Sequence, residues 1–158
     1  MYFYYSRFAQ AVVIIRNPLK AVEAELNRRQ IRREIPNYVK TVEDKEINEM
    51  LKKWRTFYQN WFQFRKPILV LSYDQLRLNL QEQLKRICTF FKVSCSKELL
   101  DCITLHQKGV DSRPRHNDSG IFNSQHQQMA KKYESEASMM LKNNLTPDNF
   151  VDFDNLVL

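Results

Sequence analysis

The chain has 158 residues, of which 43% are hydrophobic and 12% aromatic, a composition typical of a globular domain and not of a disordered protein. Its formal net charge of +7 favours an anionic ligand, and nucleotides, nucleic acids, acidic glycans and phospholipid headgroups all satisfy that requirement. Only two glycines occur, which excludes a glycine-rich phosphate loop within these residues. A phosphate site here must therefore use side chains and a helix terminus.

The first predicted element is a strand at Ala11–Ile15, whose β-branched run is typical of a strand buried on both faces of a parallel sheet. Pro18 fits the first turn of a following helix, because its missing N–H would have no intrahelical partner there. The apolar positions of that helix recur at helical spacing: Leu19, Val22 and Leu26. Residues 30–41 carry several charges and a proline, and we predict a loop.

A long helix is predicted over Glu43–Phe64. Its apolar residues form one broad face, made of Ile47, Met50, Leu51, Trp54, Phe57, Tyr58, Trp61 and Phe62. We interpret the aromatic residues of this face as core, with a stacking platform for nucleic-acid bases as the alternative.

A second buried strand is predicted at Ile68–Leu71, followed by a helix that Asp74 caps. The core positions of this helix are predicted to be Leu76, Leu80, Leu84, Ile87, Cys88 and Phe91. Ser96 is predicted to cap another helix that ends near His106. A surface loop over residues 107–121, a helix from about Ser124 to Leu141 and an irregular tail complete the chain.

Strands that alternate with helices predict an α/β fold, helix-rich, with a partial parallel sheet flanked by helices. Two strands do not make a stable sheet, so the remaining strands are expected to be missing or supplied elsewhere. No apolar run approaches the roughly 18 residues of a membrane span, and we expect membrane attachment only through a segment outside this chain.

The three cysteines, Cys88, Cys95 and Cys102, are too few for a disulfide scaffold and lack the spacing of a metal site, so no metal is expected. Three buried thiols are the favoured interpretation, and one disulfide with a free thiol is the alternative. Two glycosylation sequons, Asn117-Asp118-Ser119 and Asn144-Leu145-Thr146, weakly favour a secretory compartment.

Arg16 follows the first strand and precedes the helix that Pro18 opens. Ligands of open α/β sheets bind outside the carboxyl ends of the strands, where helix N-termini present N–H groups. A guanidinium at this position predicts a phosphate site with bidentate donors. An ion pair between Arg16 and an acidic side chain at the sheet edge is the alternative.

Four segments in order resemble the sulfotransferase family: "VVIIRNP", "ILVLSYDQLRLNLQEQLKRICTFFKV", "HQKGV" and "IFNSQHQQMAKKYESEASMML". The resemblance implies a P-loop-NTPase-like sulfotransferase fold and 3′-phosphoadenosine 5′-phosphosulfate (PAPS) as the co-substrate. It implies that Arg16 holds the 3′-phosphate, that Tyr73 borders the adenine, and that Lys108 and the Gly109 backbone close over the phosphate. Arg113 and Arg115 are second-choice contacts for phosphate or an acidic glycan.

Within that family the chain is most similar to the WSC-domain-containing sulfotransferase-like group, through Arg16-Asn17-Pro18 and "AELNR" at residues 24–28. That resemblance implies transfer of a sulfuryl group to a hydroxyl of a glycan or glycoconjugate, with sialic acid proposed as acceptor, in the Golgi lumen or membrane. Three positions depart from the wider family: Ala24, Phe57 and Gln107 stand where a serine, a histidine and an arginine are common.

The family's 5′-phosphosulfate loop is expected ahead of Met1. The resemblance therefore implies that residues 1–158 form the C-terminal portion of one sulfotransferase-like domain, inactive alone, with no catalytic base or sulfate clamp assigned. Three histidines, His106, His116 and His126, are expected to be catalytically inert. Two other functions stay open: a non-catalytic truncated domain that acts as a binding module, and a basic nucleic-acid-binding protein that uses Arg28–Arg33 on phosphates.

Overall fold

The computed structural model of the protein describes residues 9–33, 42–106, 120–143 and 150–151. Its elements in chain order are β1 (Ala11–Ile15), α1 (Pro18–Arg33), α2 (Asp44–Phe62), β2 (Ile68–Ser72), α3 (Tyr73–Leu78), α4 (Leu80–Phe91), α5 (Lys97–Leu105), α6 (Ser124–Asn143) and β3 (Phe150–Val151). They divide into two compact units, one containing the strands with α3, α4 and α5, the other containing α1, α2 and α6.

The described strands form one parallel sheet in the order β1-β2-β3, which confirms the predicted α/β fold. The register pairs Ala11 with Ile68 and Leu69 with Phe150. All five residues of β2 are buried, as expected for a central strand of a parallel sheet. β1 lies at one edge of the described sheet and its Ile14 is 44% exposed, so the prediction that both faces of β1 are buried is wrong.

β3 lies within the tail that was predicted to be irregular. Its two residues pair with β2 and supply a third strand. The expectation that the remaining strands are missing or supplied elsewhere is therefore wrong for β3, because a run of two residues gives no recognisable strand pattern.

Helix α4 packs on β2 through a small apolar cluster. Phe90 contacts the buried Leu69 and Leu71, with Val12 and Ile87 against them. The single helix predicted after β2 is wrong, because the chain breaks at Asn79 into α3 and α4. At the end of α4 the buried residue is Phe90, and the predicted core residue Phe91 is 38% exposed.

The N-cap of α3 is Ser72 and not the predicted Asp74. Ser72 has an extended backbone and its hydroxyl accepts a hydrogen bond from the Gln75 N–H at 3.5 Å. Asp74 lies inside the first turn, where a carboxylate still interacts favourably with the helix dipole. At α5 the predicted cap is confirmed, since the Ser96 hydroxyl accepts from the Leu99 N–H at 3.2 Å.

Cys88 in α4 forms a disulfide with Cys95, and Cys102 is a free, exposed thiol. The favoured prediction of three buried thiols is therefore wrong, and the alternative of one bridge with a free thiol is confirmed. The Cα atoms of the bridged residues are 5.9 Å apart, because the chain reverses at Lys92 in the left-handed conformation.

Helices α1, α2 and α6 pack on one another in the second unit. The buried face of α2 contains Ile47, Met50, Leu51, Trp54, Tyr58 and Phe62. This face confirms the predicted core, except that Phe57 is 46% exposed and Trp61 is only half-buried. α6 buries His126, Ala130, Tyr133, Ala137 and Leu141. α2 and α6 are also joined by an ion pair between Arg55 and Glu136.

Helix α1 extends to Arg33, so the predicted loop is wrong for residues 30–33, and its remainder, residues 34–41, lies outside the described residues. The run after Gln30 contains residues compatible with a helix, and the first helix breaker is Pro36. None of the helices in the described ranges is both long enough and apolar enough to cross a membrane.

Candidate functional site

The main chain of Arg16 is held by two aromatic residues of α2. Trp54 donates its indole Nε1–H to the Arg16 carbonyl oxygen at 2.9 Å. The Arg16 backbone also hydrogen-bonds the hydroxyl of Tyr58. Trp54 and Tyr58 are one helical turn apart, so their polar atoms reach the same segment of chain while their rings stay buried. The position at which the chain enters α1 is therefore fixed by side chains of α2.

Tyr58 is a neutral hydrogen-bonding group across the physiological range. Burial raises the pKa of Tyr58 to about 12, against the lowering effects of the Arg16 backbone and the Arg16 positive charge. Arg16 is half-buried, and its guanidinium lies close enough to Tyr58 for its positive charge to lower the pKa of the phenol.

Asn17 caps α1. Its Oδ1 accepts a hydrogen bond from the Lys20 N–H at 3.1 Å, and its backbone carbonyl accepts from the Ala21 N–H at 2.9 Å. Pro18 occupies the first helical position, as predicted. The first turn of α1 contains no acidic residue, so no carboxylate of its own neutralises the positive end of the helix dipole.

A carboxylate from another helix reaches this turn. The Asn17 Nδ2 donates to Glu134 Oε1 on α6 at 2.6 Å. Burial raises the pKa of the Glu134 carboxyl group above its usual value, against the lowering effects of the Asn17 hydrogen bond and the Lys131 charge. Glu134 is therefore an acidic group beside a helix N-terminus that burial makes more easily protonated than an ordinary glutamate.

Tyr73, the predicted adenine neighbour, is the first residue of α3 and is half-buried. The guanidinium of Arg77 lies 5.9 Å from the centroid of its ring, within range of a cation–π contact. Arg16 belongs to the helical unit and Tyr73 to the unit that contains the sheet.

The remaining predicted contacts lie outside the described residues. These are Lys108 and Gly109 of the proposed phosphate loop, the second-choice contacts Arg113 and Arg115, and His116. Gln107 and both sequons also lie outside them.

The two described histidines differ in their surroundings. His126 is fully buried at the start of α6, where its Nδ1 accepts a hydrogen bond from the Asn123 N–H at 3.3 Å. Its Nε2 faces Asp44 Oδ1 at 3.6 Å. His106 is exposed at the C-terminal end of α5. His126 thus ties the start of α6 to the start of α2, which is a structural role.

A pocket of about 330 Å³ lies between α1 and α2. Trp54 and Phe57 form part of its apolar wall, and Glu25, Arg29 and Lys53 line it with charged groups. Arg28 and Arg29 both donate to the Glu25 carboxylate, and Arg29 also pairs with Glu46 at 2.6 Å. These contacts, the Arg28 hydrogen bond above all, lower the pKa of Glu25 to about 2.

Two positions where the chain departs from the wider family are described. Ala24 is half-buried in α1 and offers no hydroxyl to a phosphate. Phe57, at the histidine position, is exposed and contacts the Tyr58 and Trp61 rings edge-on. In the described part of the chain, no group of three or more His, Cys, Asp or Glu side chains could hold a metal ion.

Sequence reasoning missed four residues that build this turn: Asn17 as the cap, Trp54 and Tyr58 as the backbone clamp, and Glu134. Buried tryptophan and tyrosine side chains usually have a hydrogen-bond partner, so the sequence indicated that Trp54 and Tyr58 would have one. It did not indicate that this partner is the backbone of Arg16. Glu134 gave none, because it lies 117 positions from Asn17.

Comparison with known proteins gives one family and several relatives. Residues 4–157 match the family model described as "Sulfotransferase domain". The protein called "WSCD family member GA21586" from Drosophila pseudoobscura pseudoobscura is 29% identical over 116 residues, which cover 68% of this chain and 37% of the relative. "WSCD family member CG9164" from Drosophila melanogaster is 27% identical, with the same coverage. The chain thus spans a little over a third of the length of these relatives. No solved structure matches the chain significantly.

Proposed function

The chain belongs to the sulfotransferase domain family, and we propose that the protein transfers a sulfuryl group from PAPS to a hydroxyl of a glycan or glycoconjugate. The two relatives named as WSCD family members agree with the group that the sequence motifs indicated. Because the chain spans 37% of those relatives, the reaction is proposed for the whole protein. The Golgi lumen or membrane is the proposed location, and neither a metal nor a nucleic acid takes part.

The observation that carries this proposal is the construction of the Arg16-Asn17-Pro18 turn. The backbone of Arg16 is held by Trp54 and Tyr58, so the residue has a fixed position directly before the start of α1. A 16-residue helix without an acidic residue in its first turn presents a positive dipole end there. A guanidinium beside such an end suits a phosphate group, and we assign the 3′-phosphate of the donor to it.

The rest of the proposed donor site depends on the family resemblance. Tyr73 is proposed to border the adenine, and Lys108 with the Gly109 backbone to close over the 3′-phosphate. Arg113 and Arg115 are proposed as further contacts with phosphate or an acidic glycan. The half-buried ring of Tyr73 can offer apolar area to a base, which supports its role.

Sulfuryl transfer is an in-line displacement that needs positive charge at the bridging oxygen and a base for the acceptor hydroxyl. We assign neither role to a described residue. His126 is buried in a structural contact, and Phe57 has no group that accepts a proton. Arg16 is accordingly proposed as a donor-binding residue and not as a catalytic one.

The test is the affinity of the whole protein for adenosine 3′,5′-bisphosphate, measured by titration calorimetry. We expect Arg16→Ala to weaken binding by about 1.5–3 kcal/mol, or roughly 10-fold to 150-fold in Kd, because a charged hydrogen-bond donor is lost. Arg65→Ala, which removes an exposed arginine from the segment before β2, is the matched control and should leave Kd unchanged.

Adenosine 5′-monophosphate, which lacks the 3′-phosphate, separates the assigned contact from a general loss of charge. Its affinity should be the same for the wild type and Arg16→Ala. Equal affinity of the two proteins for the bisphosphate would refute the proposed donor site.

A non-catalytic binding module is the second candidate function. It is favoured by two described departures from the family, Ala24 in place of a serine and the exposed Phe57 in place of a histidine. Such a protein would bind the nucleotide and show no sulfuryl transfer to any glycan as a whole protein. The nucleic-acid alternative is weakened because the acidic side chains of Glu25 and Glu46 already pair with Arg28 and Arg29.

A further inference from the structure

Glu134 is connected to the proposed phosphate site through one side chain. Its Oε1 accepts from the Asn17 Nδ2 at 2.6 Å, and the same Asn17 caps the first turn of α1 through its Oδ1. The two hydrogen bonds fix the orientation of the Asn17 amide, with nitrogen toward α6 and oxygen toward the helix. A carboxylate is thereby held within one side-chain length of the turn that carries Arg16.

The position of this carboxylate has an electrostatic consequence. Arg16 and Lys20 bring positive charge to the turn, and the start of α1 adds its dipole. An ionised Glu134 offsets part of that field in the empty site. A phosphate dianion bound to the same turn would instead face a like charge a few ångströms away in a half-buried environment, where repulsion changes binding constants about tenfold or more.

We propose that Glu134 sets the affinity of the Arg16-Asn17-Pro18 turn for the 3′-phosphate, and that its carboxylate takes up a proton from solvent when the phosphate binds. The inference rests on the proposed function, since it needs a phosphate at this turn. Protonation converts the carboxylate to a neutral carboxyl group, whose carbonyl oxygen still accepts the Asn17 hydrogen bond. The cap of α1 therefore survives the proton uptake, and only the like charge is removed.

The groups around Glu134 allow this change. Lys131 on α6 is the cation whose charge acts on Glu134, and it favours the ionised form of the empty site. From α1 the contact is the neutral Asn17 amide. From α2, Arg55 pairs with Glu136 of α6, and the charge of Lys52 interacts with Tyr133 of α6. Burial already favours the neutral form of Glu134, so a bound dianion acts in the same direction as burial.

The test uses adenosine 3′,5′-bisphosphate, the whole protein and the variant Glu134→Gln, which keeps an oxygen for Asn17 and removes the charge. We expect the variant to bind about tenfold more tightly than the wild type at about pH 8, and we expect this difference to disappear as the pH falls through the pKa of Glu134 and its carboxylate becomes protonated. The phosphate of the ligand also titrates in this pH range. Its effect is the same for both proteins, so it drops out of the ratio of the wild-type Kd to the Glu134→Gln Kd.

Calorimetry in buffers of different ionisation enthalpy counts the protons directly. The wild type should take up more protons on binding the bisphosphate than Glu134→Gln does. Glu136→Gln is the control, because it removes a carboxylate from the same helix at a site paired with Arg55, and it should keep the wild-type proton count. Should Glu134→Gln fail to fold, the wild type alone gives the answer, since its uptake should exceed that calculated for the ionisation of the ligand.

The outcomes separate this inference from the function on which it rests. A ratio of one at every pH, or the same proton count in wild type and Glu134→Gln, overturns the role of Glu134 when Arg16→Ala still loses affinity. Equal affinity of Arg16→Ala and wild type overturns the phosphate site itself. A pH-dependent ratio that is absent with adenosine 5′-monophosphate supports the inference.

Discussion

The rings of Trp54 and Tyr58 are buried in the core, and their polar atoms hydrogen-bond the backbone of Arg16. Both contacts are made with the Arg16 backbone, so they fix the position of the residue whose guanidinium we propose to bind the donor. The free energy that holds the turn therefore comes from buried aromatic area and two main-chain hydrogen bonds.

Tyr58→Phe tests the clamp by stability. At neutral pH we expect a loss of about 1 kcal/mol in the free energy of unfolding, because the Arg16 backbone loses a buried partner. The folded-state pKa of Tyr58, about 12, lies above its ordinary value, so the stabilisation by the protonated phenol is present below the unfolded pKa of about 10. It should disappear as the pH rises from about 10 through about 12.

Urea unfolding of the wild type and Tyr58→Phe at about pH 7 and about pH 11 measures both effects. The wild type should lose more stability than the variant between the two pH values. A loss of the same size in both proteins would show that Tyr58 is not the group responsible.

At the scale of elements, the contact of α1 with α2 includes the Glu25 carboxylate, which two arginines of α1 share. Glu25 accepts from Arg28 and Arg29, and Arg29 in turn pairs with Glu46 on α2. Since the Glu25 side chain is 32% exposed, solvent screens these pairs and their worth is modest.

Glu25→Gln should cost about 1 kcal/mol or less at neutral pH and low salt. The folded-state pKa of Glu25 is depressed to about 2, so its stabilisation is present above the ordinary value of 4.5 and is lost as the pH falls toward 2. Thermal melting of both proteins across this range should show the two curves converging at the acidic end. A difference in Tm that stays constant down to pH 2 would contradict the assignment.

The elements that sequence patterns predicted correctly have strong local signals. The apolar face of α2, the β-branched run of β2 and the Ser96 cap of α5 each depend on residues close together in the chain. The helix cap after β2 was predicted wrongly because two nearby residues in the sequence are both suitable N-caps. Ser72 and Asp74 are both good caps, and only the end of β2 decides between them.

The site divides in the same way. The position of Arg16 between β1 and α1 was predictable, because an arginine between a strand and a helix is a local pattern. Its supports were not, since Trp54 lies 38 positions from Arg16 and Glu134 lies 117 positions from Asn17. Pairings of that separation depend on how helices pack, which no single-sequence period encodes.

At the scale of the whole molecule, the net charge of +7 attracts anions over distances much longer than a hydrogen bond or an ion pair. Such a charge attracts anions before they reach a site, and salt weakens this attraction as the Debye length falls from about 30 Å at 0.01 M to about 8 Å at 0.15 M. The hydrogen bonds of a half-buried arginine are screened less. Under the proposed function, salt should therefore slow association with the nucleotide without removing the contribution to affinity that we propose for Arg16.

Stopped-flow binding of adenosine 3′,5′-bisphosphate, followed by tryptophan fluorescence, distinguishes the effect of salt on the association rate from its effect on the contribution of Arg16 to affinity. We expect the association rate constant to fall several-fold between about 0.01 M and 0.15 M salt, while the ratio of Kd between Arg16→Ala and wild type changes by less than about threefold. A DNA duplex serves as the competing anion, because its binding would depend on salt through the release of many counterions. If the duplex bound more tightly than the bisphosphate at 0.15 M salt and displaced it, the basic surface would serve a nucleic acid and not a sulfate donor.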